Sequence, residues 1–160
     1  MKEKIKEAVI LPGSYDPITL GHLEIIRRAA EQYEEVYVVA FINPDKKYTF
    51  TVDERVSMLM LATDDLENVL VSFSSGLVID YMRDHGISKI IKGYRNDADL
   101  EYEKKMADWN LKHGGYETVF EKSNDDFVHV SSTLARENIK KGEDLSGILP
   151  KKVIEFIKNR

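Results

Sequence analysis

The stretch AVILPGSYDPITLGH, from Ala8 to His22, runs from an unbroken apolar segment through a turn bearing Pro and Gly into a helical pattern. Ala8 to Leu11 shows no polar alternation, which marks a strand covered on both faces rather than one half exposed to water. Leu20, Leu23, Ile26 and Ala30 then recur at helical spacing before Tyr33, with the helix opening near Thr19. A strand feeding a helix through a glycine-bearing loop is the opening unit of a parallel sheet.

The alternation continues outward. Apolar or β-branched runs follow at Val36 to Ile42, Val69 to Phe73, Lys89 to Gly93 and Thr118 to Lys122. The first two of these also read as covered on both faces. Helical stretches separate the runs. One opens on Thr51-Val-Asp-Glu54, a capping box in which the two side chains satisfy orphan amides reciprocally. Leu77 to Asp84 closes on Gly86, and Asp99 to Lys112 closes on Gly114-Gly115. Ser131 or Ser132 caps another helix, and Pro150 suits the first turn of a last one. Gln32 to Glu35 and Asp64 to Glu67 read as solvated turns. Right-handed crossovers between such units give a Rossmann-like α/β fold, a doubly wound parallel five-stranded sheet with helices on both faces. No repeat, low-complexity tract or linker divides the chain, so residues 1–160 read as a single domain.

Composition narrows the function classes. Cysteine is absent, which excludes a disulfide scaffold, a thiolate zinc site and a cysteine nucleophile. A net charge of -5 argues against a nucleic-acid coat or a membrane-surface protein. No apolar run approaches the length that spans a bilayer, about 20 residues. The charged opening MKEKIKEAVILPG lacks a secretory apolar region. The expectation is a cytoplasmic protein with neither nucleic acid nor membrane as partner.

Open parallel sheets bind ligands outside the carboxyl ends of their strands. Here the unusual loops all follow strands: Pro12 to Pro17, Asn43 to Lys47, Ser74 to Gly76, Lys92 to Arg95 and Ser123 to Thr133. One rim therefore collects glycines, hydroxyls and cations, a chemistry suited to a polyphosphate. Gly13 lets backbone approach a ligand, and the amides opening the first helix point at the loop. His22, in that first turn, can donate a hydrogen bond to a phosphate oxygen. Lys46, Lys47, Lys92 and Arg95 add positive charge, and Ser131-Ser-Thr133 adds hydroxyls and free amides. Neither G-x-x-x-x-G-K-S/T nor G-x-G-x-x-G occurs.

Singly, each feature has a plainer reading: a tight turn, a surface histidine, solvated lysines, a helix cap. Glu101, Glu103, Lys104 and Lys105 read first as a solvated helix face. What those readings leave unexplained is the coincidence on one sheet edge. Asp125-Asp126 with His129 has no recognised ligand spacing, so no structural metal is expected.

Pro12-Gly-Ser-Tyr-Asp-Pro-Ile-Thr-Leu-Gly-His22 resembles the (T/H)-x-G-H signature of the nucleotidyltransferase α/β-phosphodiesterase superfamily. The Thr19-x-Gly-His form, with Ser14 in the hydroxyl position, looks like the phosphopantetheine adenylyltransferase family; cytidylyltransferases more often carry His in place of Thr19. Three further stretches agree with that family in order. They are Lys46-Lys-x-x-Phe-Thr51 running into Asp53-Glu-Arg55, Gly93-Tyr-Arg95 followed by Ala98-Asp-x-Glu-Tyr-Glu103, and Val130-Ser-Ser-Thr-Leu-Ala-Arg136.

The resemblance implies transfer of AMP from ATP to 4′-phosphopantetheine, giving dephospho-coenzyme A and pyrophosphate. It implies His22 as transition-state stabiliser. Ser14, Tyr15, His22, Gly93, Tyr94, Arg95, Glu103 and the run Phe127, Val128, His129, Val130, Ser131, Ser132 and Thr133 would hold ATP. Ser14, Lys46, Val78 and Lys92 would hold the acceptor. Mg²⁺ carried on the ATP phosphates and a homohexamer are implied as well, and coenzyme A is a candidate feedback ligand. The chain departs at Lys92 and Phe127, where the family commonly has arginine and tryptophan; lysine keeps the charge and loses the bidentate fork. Lys112 to Tyr116 differs most. Two other readings stay open: a sister nucleotidyltransferase using CTP or another phosphate acceptor, and a non-catalytic nucleotide-binding module on the same fold.

Overall fold

Alternation of apolar runs and helical stretches becomes alternation of strands and helices in the computed structural model, which describes residues 3–160. Met1 and Lys2, which begin the charged N-terminal stretch, lie outside the described residues. The strands are β1 (Ile5–Gly13), β2 (Tyr33–Phe41), β3 (Val69–Ser74), β4 (Lys89–Tyr94) and β5 (Glu117–Lys122). The helices are α1 (Leu20–Gln32), α2 (Val52–Ala62), α3 (Val78–His85), α4 (Asp97–Gly114), α5 (Ser132–Lys141) and α6 (Lys151–Lys158). The sheet order is β3-β2-β1-β4-β5, and every pairing is parallel. This is the expected doubly wound, Rossmann-like α/β sheet.

Register places Val9 against Val36 and Leu11 against Val38, so the central strands present matched apolar rows. One row meets Leu23, Ile26, Ala29 and Ala30 of α1, Met58 and Leu59 of α2, Ala135 of α5 and Val153 of α6. The opposite row, with Ile10, Val39 and Ile90, packs on Met82 of α3. Helices therefore cover both faces, as parallel sheets require.

Some local expectations change. Gln32 to Glu35 is no turn: α1 runs to Gln32 and β2 starts at Tyr33, because the Tyr33 ring is buried in the core. The run at Val69 was expected to be covered on both faces. As β3 it is an edge strand and leaves Leu70 and Phe73 exposed. α4 begins two residues early, since Asn96 accepts the Asp99 amide as N-cap. Ser131, rather than Ser132, caps α5, and Pro150 precedes α6 as its cap residue instead of lying in its first turn. The Thr51–Glu54 capping box forms as read.

The loop joining β1 to α1 is tied down from several elements. Asp16 is buried, and its carboxylate accepts the amides of Thr49 and Phe50, each at 2.9 Å, fastening this loop to the one after β2. Arg136 of α5 donates to the Asp16 carbonyl at 2.9 Å, and Ser132 donates to the Pro17 carbonyl at 2.8 Å. Asp16→Ala leaves two amides without their acceptor and is expected to cost about 2–4 kcal/mol in urea unfolding. Asp16→Asn, which keeps one acceptor oxygen, should cost clearly less; equal losses would mean that the carboxylate is not the fastening.

Candidate active site

Between β1 and β4 the strand order reverses, and a cavity of about 940 Å³ opens there at the carboxyl ends of the strands. Every loop singled out in the sequence contributes to its wall. The contributions are Pro12 to Tyr15, then Asn43, Pro44 and Lys46, then Ser75 and Gly76, then Lys92 to Arg95, then Ser123 with Val130 to Ser132. Two glycines permit the close packing behind that wall. A Cβ on Gly93 would lie 3.0 Å from Ile25 of α1, and one on Gly13 would lie 3.1 Å from the Tyr15 ring.

α1 starts at this edge. Thr19 Oγ1 accepts the His22 amide at 3.3 Å, and His22 Nδ1 accepts the Thr19 amide at 3.0 Å. A backbone amide can only donate, so Nδ1 is bare and the neutral ring carries its hydrogen on Nε2. Tyr15, at a left-handed φ of 48°, sets its ring edge-on to the imidazole with centroids 5.1 Å apart. Its hydroxyl donates to the Leu11 carbonyl at 2.8 Å, and burial pushes its pKa up so that it keeps that proton. Burial, then the charges of Lys92 and Arg95, push the His22 pKa down to about 4. His22 is thus a neutral hydrogen-bond donor at the positive end of a helix.

The cations of the rim are held in place. Lys46 Nζ donates to Ser14 Oγ at 3.1 Å. Lys92 lies 3.4 Å from the Glu103 carboxylate and donates to the Pro12 carbonyl at 3.3 Å. Arg95 grips Asp99 with two bonds, Nε at 2.8 Å and Nη2 at 3.2 Å. Asp99 and Glu103 stand one turn apart on α4, so that helix parks two cations against the cavity. Lys47 is exposed and takes no part in the wall. Ser131 Oγ accepts the Leu134 amide at 3.0 Å, and Ser132 has committed its proton to Pro17. An anion at the start of α5 would therefore be met chiefly by backbone amides.

Of the residues singled out, Ser14, Tyr15, His22, Lys46, Val78, Lys92, Gly93, Tyr94, Arg95, Glu103, Val130, Ser131 and Ser132 line the cavity. Phe127, Val128, His129 and Thr133 do not; Phe127 packs against the core beside Gly21. Sequence reasoning passed over Asp16, Tyr48, Arg55 and Asp99, whose importance lies in what they fasten. Only the motif stretches containing Asp16, Arg55 and Asp99 offered any signal. Among the described residues no group of three or more His, Cys, Asp and Glu could hold a metal ion, and no helix is long and apolar enough to cross a membrane.

The depressed His22 pKa has a sign that can be tested. Between pH 4 and 6.5 the unfolded chain takes up a proton at this ring and the folded chain does not. Its contribution to stability is intact above the unfolded value and is lost as pH falls toward the folded one. Going from pH 7 to about pH 4.5, the wild type should lose on the order of 2 kcal/mol more than His22→Gln in urea unfolding. An NMR titration placing the ring near pH 6.5 would contradict this.

A cytidylyltransferase-like family model matches residues 10–138. A phosphopantetheine adenylyltransferase of Corynebacterium efficiens is 44% identical over 152 residues, 94% of this chain and 96% of that one. The enzyme so named in Clostridium novyi is 41% identical over 152 residues, 94% of each chain, and that of Corynebacterium glutamicum is 42% identical over 149 residues, 92% and 93%. With identity this high along nearly all of both chains, and a matching signature at the mouth of the cavity, the chain belongs to the phosphopantetheine adenylyltransferases of the cytidylyltransferase-like family.

Proposed function

We propose that this chain acts as one nucleotidyltransferase domain that moves AMP from ATP to 4′-phosphopantetheine, yielding dephospho-coenzyme A and pyrophosphate. The observation that carries the reading is the neutral His22, fixed as an Nε2 donor by Thr19 at the start of α1, its pKa lowered by burial and then by the charges of Lys92 and Arg95. An acceptor-phosphate oxygen attacks the α-phosphorus of ATP, the bond from that phosphorus to the β-phosphate bridge breaks, and pyrophosphate leaves with the electron pair. The acceptor phosphate is largely dianionic at pH 7, its second pKa being about 6, so no protein nucleophile or strong base is needed. The site's task is placement in line and stabilisation of charge on the α-phosphate oxygens.

His22 Nε2–H donates to the α-phosphate oxygen as its charge grows. Lys46 and Lys92 hold the acceptor phosphate, Ser14 stands where both substrates meet, and Val78 borders the pantetheine arm. Arg95, Gly93 and Tyr94, with the amides opening α5, receive the nucleotide; Phe127 to His129 contribute through backbone placement. Glu103 and Asp99 keep Lys92 and Arg95 oriented until phosphate replaces them. Mg²⁺ belongs to this reaction as Mg·ATP. The cavity carboxylates Asp99 and Glu103 are engaged by Arg95 and Lys92, so they do not form a protein cage for the ion. When bound, it would neutralise charge on the departing pyrophosphate.

Exposed apolar side chains on two surfaces support a homohexamer: Leu70, Phe73 and Leu77 around edge strand β3, and Tyr102, Met106 and Trp109 along α4. Light scattering should give the mass of six chains. Coenzyme A, which shares the product's adenylate and pantetheine arm, is the natural feedback ligand for the same cavity, and a cytoplasmic location fits its substrates.

The test is pyrophosphate release from Mg·ATP with 4′-phosphopantetheine, beside CTP with glycerol 3-phosphate and ATP with nicotinamide mononucleotide. Turnover is expected only in the first mixture. His22→Ala should lower kcat by about 10²–10³-fold while ATP affinity stays within a few-fold. Turnover in a control mixture alone, or equal loss of binding and kcat, would move the protein to another reaction or remove His22 from this one.

A further inference from the structure

Arg55 lies four residues past Thr51, the N-cap of α2, and only 2% of it is exposed. A buried guanidinium is costly unless a carboxylate or a full set of acceptors compensates it. Among the described residues Arg55 has no ion-pair partner, and its Nε is buried with no acceptor at all. Among the described residues its guanidinium makes one hydrogen bond and one contact with an aromatic ring. Nη1 donates to the Ser14 carbonyl at 2.8 Å, and the guanidinium carbon sits 4.0 Å from the centroid of the Tyr48 ring.

Those contacts lead to one place. Tyr48 also has Lys46 Nζ 5.5 Å from its centroid, so a single ring carries two cations. Lys46 Nζ donates to Ser14 Oγ, the residue whose carbonyl Arg55 holds. Tyr48 Oη accepts the Asn43 amide at 2.9 Å, which pins the loop bearing Lys46. Arg55, Ser14, Lys46 and Tyr48 therefore close a circuit with two positive charges and no carboxylate. Elsewhere on this rim the cations are different: Lys92 has Glu103 and Arg95 has Asp99. Lys46 is exposed and solvated, but Arg55 is buried, and stability alone does not account for its uncompensated charge, since even a paired buried charge can often be replaced by apolar groups of similar size at no cost. An anion bound at Ser14 and Lys46 does account for it.

We propose that Arg55 is a positioning residue for the acceptor side of the site: its buried charge, acting through the Ser14 carbonyl and the Tyr48 ring, holds Ser14 and Lys46 as a ready-made seat for the attacking phosphate. The proposal rests on the reaction argued above; because Lys46 serves the acceptor alone while Ser14 stands at the junction, it places the larger effect of Arg55 on the acceptor.

The experiment compares wild type, Arg55→Lys, Arg55→Met and Tyr48→Leu in steady-state kinetics with each substrate varied, beside thermal unfolding. In Arg55→Met, KM for 4′-phosphopantetheine should rise about 30-fold or more while KM for ATP stays within about threefold. Its Tm should fall little or rise. Arg55→Lys, which keeps the charge and one donor, should recover most of that loss. Tyr48→Leu should show the same one-sided change and covers the case in which Arg55→Met fails to fold. A parallel rise in both KM values, or losses that track Tm, would make Arg55 a structural residue and overturn the proposal. If the wild type itself is silent with 4′-phosphopantetheine, the functional reading has failed, and inorganic phosphate becomes the probe. Its shift of the Ser14 and Lys46 amide resonances should be present in wild type and lost in Arg55→Met; retention in the variant overturns the proposal.

Discussion

Two hydrogen bonds between Thr19 and His22 determine where α1 begins and which ring nitrogen is left for the cavity. The Thr19 amide needs an acceptor, and Nδ1 supplies it; the His22 amide needs one, and Thr19 Oγ1 supplies that. A capping box ordinarily uses a glutamate or glutamine at this position to satisfy an orphan amide. Histidine does the same and leaves an N–H pointing elsewhere. The helix dipole, the tautomer and the direction of the donor are thereby fixed by one local arrangement. Burial beside Tyr15 then keeps the ring neutral. Rotating the imidazole away would break the helix cap, so the geometry is enforced by folding itself.

An acidic chain has to concentrate positive charge where it needs it. Net charge is -5, yet Lys46, Lys92 and Arg95 all line one cavity at the switch point of the sheet. The fold manages this by two methods. On the β4 side, α4 supplies a carboxylate for each cation, so the pairs are close to neutral until a polyanion arrives. On the β2 side, an aromatic ring and a carbonyl take the place of the carboxylate. The first method costs a ligand the exchange of an ion pair; the second leaves attractive potential standing. The two sides of the cavity are thus electrostatically unlike, as suits a site that takes two different phosphates.

The fold was legible because its signals are local: apolar runs of strand length, caps at Thr51 and at Ser131 or Ser132, and glycines after helices. The rim was legible too, since the loops following parallel strands must gather on one edge. What escaped was long-range fastening. Asp16 binds amides more than thirty positions away, and Arg55 reaches back to Ser14 across a helix, a strand and a loop. Nothing in the spacing of either residue announces its partner. The exposure of Leu70 and Phe73 was also hidden, because an apolar run reads the same in a central strand and in an edge strand. Phe127 could be read as a ring that stacks or one that packs; its ring packs against the core, a choice made by the turn at Asp125 that no periodicity encodes.

A neutral histidine at the reacting centre follows from the same electrostatics. In the proposed reaction ATP and the acceptor arrive with several negative charges, and lysine and arginine already meet them in the ground state. A fourth permanent cation would bind substrate and transition state alike, lowering KM without raising kcat. A neutral N–H at a helix start does something different. Its bond to an α-phosphate oxygen strengthens as that oxygen gains charge, and it is held in place before the reaction begins, so no reorganisation is required. Lys92 and Arg95, by depressing the His22 pKa, help keep it in that neutral state. In the proposed reaction the cations that gather the substrates would thus add to burial in holding neutral the group that discriminates between substrate and transition state.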